Sequence, residues 1–351
     1  MQRMKKNYYF IQQGVNRVSS ANPEVQQKMP SKKGFELFDF LYKYGTIITI
    51  LALIVIFSIT SPAFMDGANI VNILRSISIV TIIAVGITIS LSVDGFDLSV
   101  GSTVSLTNAV VISMFVWFSQ NIFVALLAAI GAALVVGAFN SFMIVKVRIP
   151  DMLMTLATMF IIQGIALTYT KGATVSQNMV MPDGTFSTGT VPEVFSKIGQ
   201  VPWIIVIMIV VVVLVHIFLN YTKHGRYMYV IGGNKEAARL SGIPVNKYKV
   251  TAYLMSATFA AIGGIVLASR VMTAEINSGA PYLMDAVAAA FIGSSVLGAG
   301  KPNAFGTFVG AVLIGILQNG LVMMSVPYYA MDIVKGTVLA LALALTYYKK
   351  K

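Results

Sequence analysis

The stretch Asp94-Gly95-Phe96-Asp97-Leu98-Ser99-Val100-Gly101 sets two carboxylates within four residues, with apolar runs on both sides. Acids in such surroundings have few uses. They can couple an ion, relay a proton, cleave a peptide bond as a pair, or accept hydrogen bonds from the start of a helix. Gly95 and Gly101 permit a broken or re-entrant backbone, and unwound backbone at membrane depth must line protein or water. Asp97 stands just before Leu98 and Ser99, where an N-capping carboxylate meets the positive end of a helix. Capping is therefore the first reading of Asp97 and substrate contact the second. Asp94 is open to either.

The other ionisable groups inside apolar runs are Asp285, Asp332 and Lys335. Asp332 and Lys335 are three apart on one helix and neutralise each other. Arg75 and Arg270 sit near the ends of apolar runs and reach water by snorkelling. Ser99, Asn108, Asn140, Gln163, Gln318 and Asn319 add neutral polar groups. With Asp94, Asp97 and Asp285 they could line a path for a polyol-like solute or bond helices together. Taken singly, each is more simply explained as glue.

Catalysis finds little support. His216 and His224 are eight apart with no zinc pattern, and there is no Gly-x-Ser-x-Gly elbow. Asp97 with Asp285 would be the pair for an intramembrane aspartyl protease, but nothing else in the sequence supports that chemistry. Without cysteine there is no disulfide or thiolate metal site. No catalytic residue, metal site or cofactor is expected.

The elements that position these residues follow from composition. The chain has 351 residues, 57% of them hydrophobic and only 11% charged, against about a quarter charged in a soluble domain. Its mean hydropathy is +0.80. The solvent of such a chain is the bilayer, so lipid is its first partner. The net charge of +12 collects in the first 43 residues, in 223–249 and at Lys349–Lys351. These are flanks and loops, not the basic face of a soluble domain that nucleic acid requires. The N-terminus is polar for too long to be a cleaved signal peptide.

Runs long enough to cross about 30 Å of hydrocarbon occur near 44–61, 75–93, 98–118, 121–145, 151–170, 202–221, 250–269, 283–300, 303–323 and 327–347. The expected fold is an all-α, multi-pass integral membrane protein of about ten spans. A basic tail over 1–43 precedes a transmembrane domain over 44–348. Lys146, Arg148 and the basic segment place both termini in the cytoplasm under the positive-inside bias. The loop 171–201 is then external, either a connector or a landing surface, and 222–249 is cytoplasmic. Residues 137–167 and 315–343 echo each other through Gly, Asn, Pro and a polar-Gly pair. They lie in spans four and nine, which run oppositely, so two inverted five-helix repeats are expected.

The segment Gly233–Ile243 carries the most specific signal. After a Gly-Gly break, Asn234 caps a short helix to Leu240, Glu236 stands in its first turn, and Ser241-Gly242 stops it. A mere connector has no need of such a rod. It suits docking on a cytoplasmic protein, so that motion there tilts the spans.

"GGNKEAARLSGI" resembles the coupling loop of permease subunits of ATP-binding-cassette importers, whose Glu-Ala-Ala-x-x-x-Gly pattern is met by Glu236, Ala237, Ala238 and Gly242. "DGFDLSVGS", "IPDMLMTLATMFIIQGIA" and "FGTFVGAVLIGILQNGL" are similar to segments of the ribose-type sugar permeases in that group. The resemblance covers roughly 45–347. It implies that 44–348 is the permease domain of a non-enzymatic pore subunit, in a bacterial cytoplasmic (inner) membrane, that imports a monosaccharide or polyol. It also implies a separate ATP-binding subunit, an extracytoplasmic sugar-binding protein and a second permease copy, as homodimer or heterodimer. Gly233, Asn234, Glu236, Ala237, Ala238, Arg239, Gly242 and Ile243 would contact the ATPase. The chain departs from the family at Val93-Asp94-Gly95-Phe96 and at "LGAGKPNAFG", which leaves the sugar's identity open. The rival is an ion-gradient-driven secondary transporter with Asp94 or Asp97 as its coupling acid.

Overall fold

The computed structural model describes residues 37–347, apart from 182–183, 276 and 297–299. The expected basic tail, up to residue 36, and Lys349–Lys351 lie outside the described residues. Helices dominate: α1 (Leu37–Thr60), α2 (Gly67–Leu91), α3 (Val100–Val116), α4 (Ile122–Phe142), α5 (Asp151–Tyr169), α6 (Glu193–Ile198), α7 (Trp203–Tyr221), α8 (Lys223–Gly233), α9 (Lys235–Leu240), α10 (Val245–Val271), α11 (Ala280–Ser295), α12 (Ala304–Met323) and α13 (Tyr328–Tyr347). Only two isolated β-bridges, Val175 with Ala274 and Val180 with Phe186, occur among the described residues.

A helix falls on each of the ten runs read from the sequence. Six of them, α2, α4 with its extension to Val147, α5, α7, α10 and α12, are long and apolar enough to cross a membrane. The chain is an all-α, multi-pass membrane protein. Local chemistry sets the breaks. Asn121 caps α4 by accepting from the Val124 N–H at 3.0 Å. A π-turn over Met143–Val147 and a left-handed Arg148 close α4, and Pro150 excludes helix from the residue before it. Between α2 and α3 the chain leaves helix from Ser92 to Ser99, so the acid-bearing stretch is the junction itself.

Burial sorts the helices. In α2, α10 and α12, 67%, 61% and 61% of the apolar window is buried; in α4, α5 and α7 the figures are 28%, 22% and 33%. The first three are therefore central and the others peripheral. α2 packs on α10, α11 and α12, while α10 packs on α2, α3 and α4. Exchanging α2–α5 for α10–α13, in order, maps their contacting pairs onto contacting pairs. α2 on α11 and α12 becomes α10 on α3 and α4, α3 on α4 becomes α11 on α12, and α3 on α5 becomes α11 on α13. This is the packing of two inverted halves. The expected fifth pair does not follow it, since α7 packs on α2 and α12 whereas α1 makes no comparable contact with α10 or α4 among the described residues.

The sequence echo has a physical basis in the same exchange. Gly137 on α4 faces Ala257 and the Tyr253 carbonyl of α10, and a Cβ there would stand 2.8 and 3.0 Å from them. Gly315, its counterpart on α12, meets Ile77 and Ile73 of α2. Each bare Cα lets a flanking helix close on the central helix of the other half, as small residues do where lipid supplies no hydrophobic drive.

The two ends of the bundle differ in charge. Lys146, Arg148, Lys223, Arg226, Lys235, Arg239, Lys247, Lys249 and Lys301 gather at one, called here the basic end. Over the opposite end the loop 171–201 is folded down. Its Phe195 is fully buried, 4.9 Å from the Phe115 ring. Ser269 of α10 pins it by donating to the Phe195 carbonyl and accepting from the Gly199 N–H, both at 2.6 Å.

Two substitutions on α4 separate close packing from helix propensity. Gly137→Ala should destabilise the purified protein by about 1–3 kcal/mol through overpacking. Gly131→Ala, with nothing within 4 Å of the added methyl, should be neutral or stabilise by up to about 1 kcal/mol. Thermal unfolding in detergent reads both; equal shifts would refute the close α4–α10 approach.

Candidate functional site

At the basic end the Ser92–Ser99 junction is held from three sides. Asp97 is only 2% exposed. Its Oδ1 accepts from the Ser99 N–H at 3.0 Å and the Ser99 hydroxyl at 2.6 Å, and its Oδ2 from the Ser256 hydroxyl of α10 at 2.8 Å. Asn140 of α4 donates to Ser99 Oγ at 2.9 Å. Asp97 thus ties the start of α3 directly to α10 and, through Ser99, to α4. The N-cap of α3 is Ser99 rather than the expected Asp97, and it makes no side-chain cap bond. On the other flank Thr155 of α5 accepts from the Leu98 N–H at 3.1 Å, and its hydroxyl lies 3.0 Å from the Phe96 carbonyl. Open backbone in a dry interior needs such partners, because each unsatisfied polar group there costs several kcal/mol.

Asp94 is placed differently. It has φ of +55° and is exposed at the turn closing α2. That turn abuts α8: a Cβ on Gly232 would stand 2.6 Å from the Ser92 carbonyl. The acid pair therefore splits, with Asp97 buried among helices and Asp94 on the basic-end surface beside the 222–249 segment.

A second polar node was not foreseen. Asp151, the first residue of α5, accepts at Oδ2 from Lys249 Nζ and from the Tyr253 hydroxyl, each at 2.8 Å. The bare Cα of Gly95 faces this pair; a Cβ there would lie 2.8 Å from the Tyr253 oxygen and 3.0 Å from the carboxylate. Each partner stands at the start of its own run, where a lone charge reads as a water-facing flank. The available signal was Lys249 and Tyr253 at i and i+4, on one face of α10.

The 222–249 segment contains two helices rather than one. The Gly-Gly pair read as a break instead ends α8, which begins at a Thr222 cap accepting from the Gly225 N–H at 3.1 Å. Tyr229 of α8 donates to the Pro302 carbonyl at 2.8 Å. Burial pushes its phenol up to about 12, so it stays a neutral donor through the physiological range. α9 has the expected ends. Asn234 Oδ1 accepts from the Ala237 N–H at 2.9 Å, and Gly242 takes φ of +76°. The Gly242 and Ile243 N–H groups return to the Arg239 and Ala238 carbonyls, both at 3.0 Å. Ala238 is buried, whereas Gly233, Asn234, Glu236, Ala237, Arg239 and Gly242 are exposed and Ile243 is half-buried. Leu240 is 88% exposed. Beside α9 lies a cavity of about 680 Å³ lined by Arg148, Asp151, Glu236, Arg239 and Lys249, among others.

The remaining polar candidates sit elsewhere. Asp285 and Gln318 line a cavity of about 460 Å³ toward the opposite end, with Arg270, Glu275, Ser278 and Tyr282. Asn108, wholly buried, donates to Ser278 Oγ at 2.9 Å, and its own carbonyl oxygen has no partner among the described residues. Lys335 lies 3.1 Å from Asp332 and 3.4 Å from Asp285, so Asp285 shares the cation of α13. Asn319 pairs reciprocally with Asn69 of α2 at 2.9 and 3.0 Å. Gln163 is half-buried on α5 and lines neither cavity. The polar set thus divides between a basic-end network, an opposite-end cavity and interhelical ties.

Residues 69–343 match the family described as the permease component of the branched-chain amino acid transport system. The ribose import permease protein RbsC of Escherichia coli K12 is 36% identical over 306 residues, 86% of this chain and 93% of the relative. RbsC of Bacillus subtilis 168 is 32% identical over 327 residues, 92% of this chain and 98% of the relative. The xylose transport system permease protein XylH of Haemophilus influenzae is 29% identical over 365 residues, 89% and 97% of the two chains. No solved structure matches the chain significantly.

Lys249→Met strands the Asp151 carboxylate and should cost about 3–5 kcal/mol, while Lys249→Met with Asp151→Asn, which removes the charge and keeps an acceptor for the Tyr253 hydroxyl, should recover most of that loss. Unfolding midpoints of the single and double variants check the cycle. Additive losses would mean that the ion pair does not tie α5 to α10.

Proposed function

Since the chain belongs to the transport-system permease family that includes the ribose import permeases, we propose that it is the membrane-spanning subunit of an ATP-binding-cassette importer for a monosaccharide or related polyol. Its basic end faces the cytoplasm, as the positive-inside bias favours, and both termini lie there. The permease domain spans 44–348, with 171–201 external and 222–249 the coupling segment. It is not an enzyme: no Gly-x-x-x-x-Gly-Lys-Ser/Thr phosphate loop occurs in the sequence, so a separate cytoplasmic subunit hydrolyses ATP. An extracytoplasmic binding protein selects the solute, and a second permease copy completes the pore.

One observation carries this reading: α9 is a capped rod that exposes Glu236, Arg239 and Leu240 at the basic end. An exposed leucine next to Arg239 is suited to entering a groove on a partner. The rod connects to the spans through Ala238 beneath it, α8 against the Ser92–Ser99 junction, and the cavity shared with Asp151 and Lys249. Motion imposed on α9 would reach α2, α5 and α10 together. Ser278, Tyr282 and Gln318 in the opposite-end cavity offer neutral hydrogen-bonding groups that suit a polyhydroxylated solute.

The secondary-transport reading needs an acid that exchanges protons or ions in the pathway. Asp97 instead accepts three hydrogen bonds, and Asp94 lies on the surface.

Proteoliposomes containing this chain alone should not accumulate sugar under a proton or sodium gradient. They should do so once ATPase and binding protein are supplied. Accumulation driven by the gradient alone would overturn the importer reading. In the reconstituted system, Glu236→Lys and Gly242→Pro should abolish uptake while leaving the purified chain inserted and monodisperse. Proline cannot take the positive φ of residue 242 and removes its N–H bond. Unchanged uptake by both variants would refute the docking role of α9.

A further inference from the structure

At the basic end of α7 a second cavity, of about 390 Å³, takes no part in the coupling surface. His216, Asn220, Arg226, Tyr229, Lys301 and Phe305 line it. No acid does, and neither Arg226 nor Lys301 forms an ion pair among the described residues. Both are exposed. Arg226 spends one guanidinium donor on the Tyr221 carbonyl at 3.4 Å, out of the five it carries. Tyr229, committed to Pro302, closes one wall. Two uncompensated cations in one recess favour an anion.

The surroundings indicate which anion. Val206, Val210, Val213, Leu214 and Ile217 are 43–60% exposed, and their spacing of three and four makes a single apolar stripe along α7. One turn past Ile217 the stripe continues to Tyr221, the neighbour of Asn220 in the cavity wall, so stripe and cavity adjoin at this end of α7. The His216 ring lies 6.0 Å from the Tyr221 ring and 6.5 Å from Phe305, the aromatic collar typical of the depth where headgroups meet hydrocarbon. A soluble phosphate would need the cations and have no use for the stripe. An anionic phospholipid uses both.

We propose that this cavity binds the phosphate headgroup of an anionic glycerophospholipid in the basic-end leaflet, with an acyl chain along α7. The headgroup bridges α7 and α8 to the start of α12, cross-linking the coupling segment to the second half of the bundle. The site requires only that α7 cross the membrane and is independent of which solute is carried.

The full chain, purified and placed in phosphatidylcholine nanodiscs containing a minor fraction of phosphatidylglycerol, should on native mass spectrometry retain phosphatidylglycerol about thirtyfold over its share. Each cation is worth about fivefold near an anionic headgroup, so R226Q with K301Q should lower retention roughly thirtyfold. R226K with K301R should keep most of it, which separates charge from folding. K223Q with K247Q removes two exposed cations at the same end but outside the cavity, and should change retention little. Three results would overturn the proposal. Retention could match the bulk ratio, or the two neutralised pairs could lose equally, as for diffuse surface attraction. Glycerol phosphate could displace the lipid at equal concentration, marking a site for soluble anions.

Discussion

The α2–α10 contact is the constraint on which the rest of the bundle depends. Lipid tails are as apolar as leucine, so burying one more aliphatic side chain between helices gains little over leaving it in the bilayer. What holds these helices is close fit and a few polar ties, and both are concentrated where the two central helices cross. Ile83 of α2 lies against Gly263 of α10, and Ser256 and Phe259 of α10 lie against Gly86. Flanking helices from each half close on the central helix of the other. Neither half is a finished object: α3 and α4 lean on α10, and α11 and α12 lean on α2.

That arrangement leaves the two ends free to specialise. At the opposite end, the loop 171–201 is sewn to α10 by Ser269 and packed on Phe115, making a rigid cover over the bundle. At the basic end the ties are hydrogen bonds and one ion pair, set among the Ser92–Ser99 junction, α5, α8 and α10. Polar ties of this sort can exchange their partners for water at lower cost than an apolar seam can.

Much of the fold was legible because hydrocarbon thickness fixes helix length. Ten apolar runs gave ten helices, and Pro150, Asn121 and Asn234 marked boundaries through chemistry that acts within a few residues. The cap and stop of α9 were legible for the same reason, since Asn234 bonds three residues ahead and Gly242 answers to its own φ. Contacts between residues distant in the chain were not legible. Asp151 and Lys249 looked like separate water-facing flanks, because nothing local shows that residues 98 apart share an end of the bundle. α8 was missed where Gly232-Gly233 read as a break, although the pair ends a helix that begins ten residues earlier. Of the polar candidates, Asn319 proved to be matched to Asn69, a pairing that only the packed bundle reveals.

The reach of the Asp97 carboxylate has a consequence for how the chain is made. Its Ser99 partners leave the ribosome almost together with it, but Ser256 follows 159 residues later. Until α10 enters the bilayer, one carboxylate oxygen has only water, lipid headgroups or the insertion machinery to turn to. Biosynthesis therefore passes through a stage in which the helices up to α9 have been made but Asp97 lacks its Ser256 partner, and arrival of α10 completes that tie. A nascent chain arrested between the two halves would be left at that stage, with its charge uncovered.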